Sequence, residues 1–284
     1  MPLKIVTGLR CDGGLSPQEH TIVAGGIDWR YLEWGDHGPP LVLWHGVTSD
    51  ASGWWRVGPT LAGLGFHVYA PDLPGHGLTG DAPHGYNVEH TARLLDSWMA
   101  ALNFAAPVVL GHSWGGMNAL VHTLLPDAQV HPRALVLEDP ALQLARNGEQ
   151  YISAFTAGIG IRGDEAARAE IAALNPRWHE CDVWWKVQAR ERACRSAVEG
   201  FFLDNAGANF VPLLRNITIP TLLLLADHTF GGIWAEQHVA IARAGAAPTV
   251  TTQVLAGSSH NMHRDAFAPF SITVGSFLRP FLMS

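Results

Sequence analysis

The sequence predicts an α/β protein organised on a mostly parallel sheet. Short apolar runs of strand length alternate with segments of helical periodicity, and one serine stands in a Gly-x-Ser-x-Gly turn at such a junction. This alternation argues for βαβ units, whose strands are covered on both faces and read as continuous apolar runs. The strand candidates are residues 41–44, 66–70, 107–110 and 134–137, then, after a long gap, 221–225 and 249–255. Helical patterns cover 53–64, 87–102, 114–125, 233–244 and 264–282, the second opening on Asn87 as an N-cap.

The alternation breaks between Pro140 and Asn216. That segment is helical in pattern and rich in rings, among them Phe155, Trp178, Trp184, Trp185, Phe201 and Phe202. The rings can form the segment's own small core, or face a ligand if the segment lies over the strand C-termini, where open α/β sheets bind ligands. The expected domains are a core of residues 1–139 and 217–284 and a helical lid of 140–216. Trp184 and Trp185 are the candidate substrate-binding rings.

Composition bounds the function. The 284 residues are 48% apolar and 15% charged, enough to bury a sizeable core. A net charge of 18 − 25 = −7 provides no basic footprint for nucleic acid or an anionic membrane surface. The basic residues are nearly all arginine, with only Lys4 and Lys186 as lysines. Cys11, Cys181 and Cys194 have no Cys-x-x-Cys spacing, too few for a disulfide framework and wrong for a zinc cluster. The first residues lack a signal-peptide core, and no apolar stretch nears the roughly 18 residues of a membrane span. A soluble protein of the reducing cytoplasm is expected.

Gly111-His112-Ser113-Trp114-Gly115 lies between a strand and a helix. A serine at the tip of such a turn is strained and projects its hydroxyl off the sheet, with the helix N-terminus behind it facing any developing negative charge. Three further motifs follow the same plan: Trp44-His45-Gly46-Val47, Asp72-Leu73-Pro74-Gly75-His76-Gly77-Leu78-Thr79 and Gly257-Ser258-Ser259-His260. With these the chain resembles the α/β-hydrolase fold family over nearly its whole length, Thr79 standing where the family usually has serine. Gly75 to Gly80 also spells Gly-x-Gly-x-x-Gly, but it runs into Asp81-Ala82-Pro83 and opens no helix, against a dinucleotide site.

A serine hydroxyl needs an imidazole to take its proton. Of 15 histidines, His260 has the chain order and motif context the resemblance implies, while His45 and His112 read as turn or packing residues and His263 as the start of the last helix. The family's commonest acid position, after strand 221–225, is occupied here by Thr229. Two substitutes remain: Glu138, at the end of strand 134–137, where some family members carry the acid, and Asp227. Glu138 is favoured; Glu138 and Asp139 could otherwise fix the start of the lid, and Asp227 a turn.

The resemblance implies a serine hydrolase of carboxylic esters, with the amides of Val47 and Trp114 as oxyanion donors and no cofactor or metal. A lactonase or a hydrolase of activated C–C bonds would use the same residues on a small-molecule substrate. A ligand-binding protein of the same fold would differ in failing to take a fluorophosphonate label that is lost in Ser113→Ala.

Overall fold

The structure, a computed structural model, describes residues 10–161 and 165–282. Eight strands form one sheet: β1 Gln18–Ala24, β2 Ile27–Trp34, β3 Pro40–Trp44, β4 His67–Pro71, β5 Val108–His112, β6 Ala134–Glu138, β7 Thr221–Ala226 and β8 Val250–Leu255. Their order is β1-β2-β4-β3-β5-β6-β7-β8. The pairs β1–β2 and β2–β4 are antiparallel and every other pair is parallel. This is the α/β-hydrolase fold expected from the sequence, and six of its strands fall on the apolar runs.

The first two strands were not expected. Their hairpin closes on Gly25 and Gly26, both at positive φ, as a two-residue turn needs if it is to follow the right-handed strand twist. Strand β2 shows no alternation because it is buried along most of its length, and it lies between β1 and β4.

Side-chain parity divides the core into two layers. Val42, Trp44, Val109, Leu135, Leu137, Leu223 and Leu225 face one layer. Leu41, Leu43, Val108, Leu110, Val136, Leu222 and Leu224 face the other. Successive strand residues point to opposite faces, so each run is apolar throughout and serves both layers. The first layer is covered by α2 (Val88–Ala101), α3 (Trp114–Thr123) and α8 (Glu236–Gly245), and the second by α1 (Val57–Gly63), the short α9 (Met262–Asp265) and α10 (Phe267–Leu278). Asn87 caps α2 through the amide of Glu89.

Between β6 and β7 lie α4 (Glu149–Thr156), α5 (Glu165–Leu174), α6 (Glu180–Arg192) and α7 (Arg195–Leu203). Ile171, Val183 and Val187 form a small core of their own between α5 and α6. Phe201 and Phe202 instead join the first layer of the main core. Asp182 anchors α6 to the sheet side: it accepts from Trp55 Nε1 at 2.8 Å and from Arg56 at 2.9 Å.

The cysteine expectation is corrected. Cys11 and Cys181 form a disulfide spanning 170 residues of sequence, which ties the segment ahead of β1 to the start of α6. Spacing along the chain could not reveal a pair joined only by the tertiary fold. Disulfides persist in oxidising compartments and are rare in the cytosol, so the pair is at odds with a reducing environment. Among the described residues no helix is long and apolar enough to cross a membrane. Cys181→Ser is expected to lower stability by about 2–4 kcal/mol, because the unfolded chain regains the entropy of a long loop. Thermal unfolding should show the same loss for Cys11→Ser and for the reduced wild type.

Candidate active site

Ser113 joins β5 to α3 with φ 55° and ψ −114°. A serine ahead of a helix ordinarily bonds a first-turn amide, but this one makes no capping bond, which leaves its hydroxyl for other chemistry. The bend is possible only because its flanks lack side chains. A Cβ on Gly111 would lie 2.4 Å from the Gly115 carbonyl oxygen, and one on Gly115 would lie 2.2 Å from that of Trp44. Such backbone contacts have no room to give.

The loop after β3 lies against this bend. A Cβ on Gly46 would come 3.0 Å from Ser113 Cβ. Two neutral histidines hold the loop and its neighbour. His45 Nε2 accepts the Leu73 amide at 2.8 Å and His76 Nε2 accepts the Thr48 amide at 3.2 Å. Burial drives both rings down to about 3, so they remain acceptors at neutral pH. The amides of Val47 and Trp114 find no acceptor among the described residues. Both donors are therefore uncommitted, one on the half-buried Val47 and one at the first position of α3 directly after Ser113.

His260 arrives on the turn after β8. Its Nδ1 stands 2.7 Å from Asp139 Oδ2. The sequence-based choice of acid is therefore corrected on both counts. Glu138 instead accepts the backbone amide of His263 at 2.9 Å and its Nδ1 at 2.9 Å. Asp227 spends its oxygens on the Thr229 amide and hydroxyl and on the Gly257 amide, a turn-capping role. The reason for the first correction is strand parity. Glu138 has the parity of Val136 and points into the second layer, where Met262 and Phe270 lie. Asp139, one step past the strand at φ 36°, turns the other way. Amides of Ala226 and Ile233, each at 3.1 Å, fix its two oxygens.

His112 is a buried packing residue that also donates from Nε2 to the His260 carbonyl at 2.9 Å, with the two ring centroids 4.7 Å apart. It ties the nucleophile turn directly to the histidine turn. Trp114 packs on His76, Tyr86 and Phe201, so α7 delivers Phe201 against the ring of the residue that follows Ser113. The two tryptophans expected at the substrate are elsewhere. Trp185 Nε1 donates to the Cys11 carbonyl at 3.1 Å. Trp184 lines a cavity of about 360 Å³ with Cys11, Glu165, Arg168 and Glu180, which contains neither Ser113 nor His260.

Ligand-type atoms of His112, Glu138 and His263 lie within 4.8 Å of one another, the one such group among the described residues. They are already committed to hydrogen bonds: Arg264 Nε donates to His263 Nε2 at 3.1 Å and His263 Nδ1 donates to Glu138. A buried guanidinium beside the same ring opposes a divalent cation. The set reads as a brace between β6 and the histidine turn.

Burial pushes the Glu138 carboxyl up to about 8, from an ordinary value of 4.5. The folded state thus favours the protonated acid. That contribution is complete below about 4.5 and is lost as pH rises through about 8. Measured against Glu138→Gln, which cannot ionise, wild-type stability should fall across this window, and melting temperatures at pH 4.5 and pH 8 test it.

A match to the alpha/beta hydrolase fold over residues 39–194, more than half of the chain, takes in the serine elbow and strands β3 to β6. The chain belongs to the α/β-hydrolase fold family. It is 25% identical over 264 residues to the N-formylmaleamate deformylase of Pseudomonas putida, covering 90% of this chain and 95% of that protein. It is 24% identical over 224 residues to a bifunctional esterase/perhydrolase of Acinetobacter calcoaceticus, covering 70% and 78%. The esterase of Exiguobacterium antarcticum superposes with a TM-score of 0.76 at 17% identity, over 92% of this chain and all of that one, a likeness of fold.

Proposed function

We propose that the chain is a serine hydrolase of carboxylic esters, with Ser113 as nucleophile, His260 as base and Asp139 as acid. The observation that carries this reading is the 2.7 Å contact of His260 with Asp139, on a turn whose His260 carbonyl bonds His112, the residue just before a serine held at positive φ. In the proposed reaction His260 takes the Ser113 proton as Oγ attacks the carbonyl carbon, and the carbonyl oxygen gains negative charge. The Val47 and Trp114 amides receive that oxyanion, each worth about 3–4 kcal/mol of barrier. The imidazolium then protonates the leaving alcohol, and Asp139 stabilises it meanwhile. Water, deprotonated by His260, attacks the acyl-enzyme, and collapse of the second tetrahedral intermediate returns the proton to Ser113 and releases the acid. The helices between β6 and β7 act as the lid.

Hydrolysis of an N-acyl bond is the second reading, favoured by the deformylase relative, whose match extends over nearly the full length of both chains. Both chemistries pass through the same acyl-enzyme and differ in the leaving group that His260 protonates. A panel of p-nitrophenyl esters, lactones and N-formyl amides separates them. Turnover of none, together with no fluorophosphonate labelling of Ser113, would overturn the proposal.

A further inference from the structure

Lys186 is one of only two lysines in the chain, and it sits on α6 one turn beyond Asp182. Its ammonium donates to the Thr48 carbonyl at 2.8 Å and to the Thr48 hydroxyl at 2.6 Å. Both acceptors are neutral. An ammonium carries three N–H donors, and among the described residues the third has no acceptor and no carboxylate lies within 4.0 Å of the nitrogen. The other cations on this stretch of helix are matched: Arg190 faces Glu170 at 3.9 Å and Arg192 faces Asp50 at 3.7 Å.

The position of this unmatched charge is informative. Thr48 stands two residues past Gly46, the residue packed on Ser113, and two residues of chain reach at most about 7 Å. Lys186 therefore hangs over the loop that bears the open Val47 amide. A half-buried ammonium whose two partners are neutral gains from a counter-charge brought to its third N–H. Burial and the guanidinium groups of Arg264 and Arg190 disfavour the charged form of Lys186, with Asp50 opposing them, and an arriving carboxylate favours it again.

We propose that Lys186 receives a carboxylate of the substrate, so that the site selects acyl compounds bearing a carboxylate a few bonds from the scissile carbonyl. The proposal rests on the hydrolase reading of Ser113 and adds the substrate class to it. The bound carboxylate takes the third N–H in a charge-assisted hydrogen bond, and the resulting pair is excluded from water by α6. The ester carbonyl then lies over the Val47 and Trp114 amides. A lysine that merely fastened α6 to Thr48 would show no preference between charged and neutral ligands.

The test compares monomethyl succinate with dimethyl succinate, by calorimetric binding to the Ser113→Ala protein and by hydrolysis with the wild type. The monoester is expected to bind about 10- to 100-fold more tightly, the scale of a hydrogen bond to a charged group. Adding Lys186→Met should abolish that preference, and Lys186→Arg should retain it. Lys186→Gln serves the same purpose if the methionine variant does not fold. Equal or undetectable binding of the two esters to Ser113→Ala, or a preference that survives loss of the ammonium, overturns the proposal. A preference for the monoester with no hydrolysis of either ester would support the carboxylate site while removing the hydrolase reading, so the two failures are distinct.

Discussion

Asp139→Asn is expected to lower kcat by about four orders of magnitude with little change in fold. The amide retains the volume and can still accept the Ala226 or Ile233 amide. Opposite His260, however, it can offer an N–H where the carboxylate offered only lone pairs, which favours the wrong tautomer and leaves the imidazolium without a counter-charge. Steady-state kinetics on p-nitrophenyl acetate measure the effect. The controls are the two carboxylates that the sequence had put forward. Asp227→Asn should stay near wild type, since Asp227 is occupied with Thr229 and Gly257. Glu138→Gln should change pH-dependent stability more than kcat. A loss in Asp227→Asn larger than that in Asp139→Asn would refute the assignment of the acid.

Ser113→Ala should lower kcat by about a millionfold and abolish labelling by a fluorophosphonate. The methyl group of alanine fits wherever the serine Cβ already sits, so the protein should melt at nearly the wild-type temperature. The open amides of Val47 and Trp114 remain in the variant, and residual catalysis above water would be theirs. If labelling persists in Ser113→Ala, another nucleophile carries the reaction.

The sheet was readable because β3 to β7 are buried on both faces and stand out as short apolar runs, while the edge strand β8 shows alternation. The β1–β2 hairpin escaped notice because β2 is buried on both faces and lacks alternation, although Gly25-Gly26 was its signal. The serine and histidine were readable because each sits in a turn whose glycines are dictated by close backbone approach. The acid was not, because two adjacent carboxylates end β6 and a single residue decides which face each takes. Parity with Val136 was the available clue, and it assigns Glu138 to the second layer. The disulfide, Phe201 and Lys186 depend on how the inserted helices dock, which no local pattern records.

The placement of Asp139 has a mechanical consequence. Ser113 and Asp139 extend from neighbouring strands β5 and β6, whose spacing is fixed at about 4.8 Å by the sheet itself. His260 follows β8, the outermost strand on its side. The His112 bond to the His260 carbonyl and the Glu138 bonds to His263 fasten the histidine turn to β5 and β6, so the imidazole does not depend on the edge strand alone for its place.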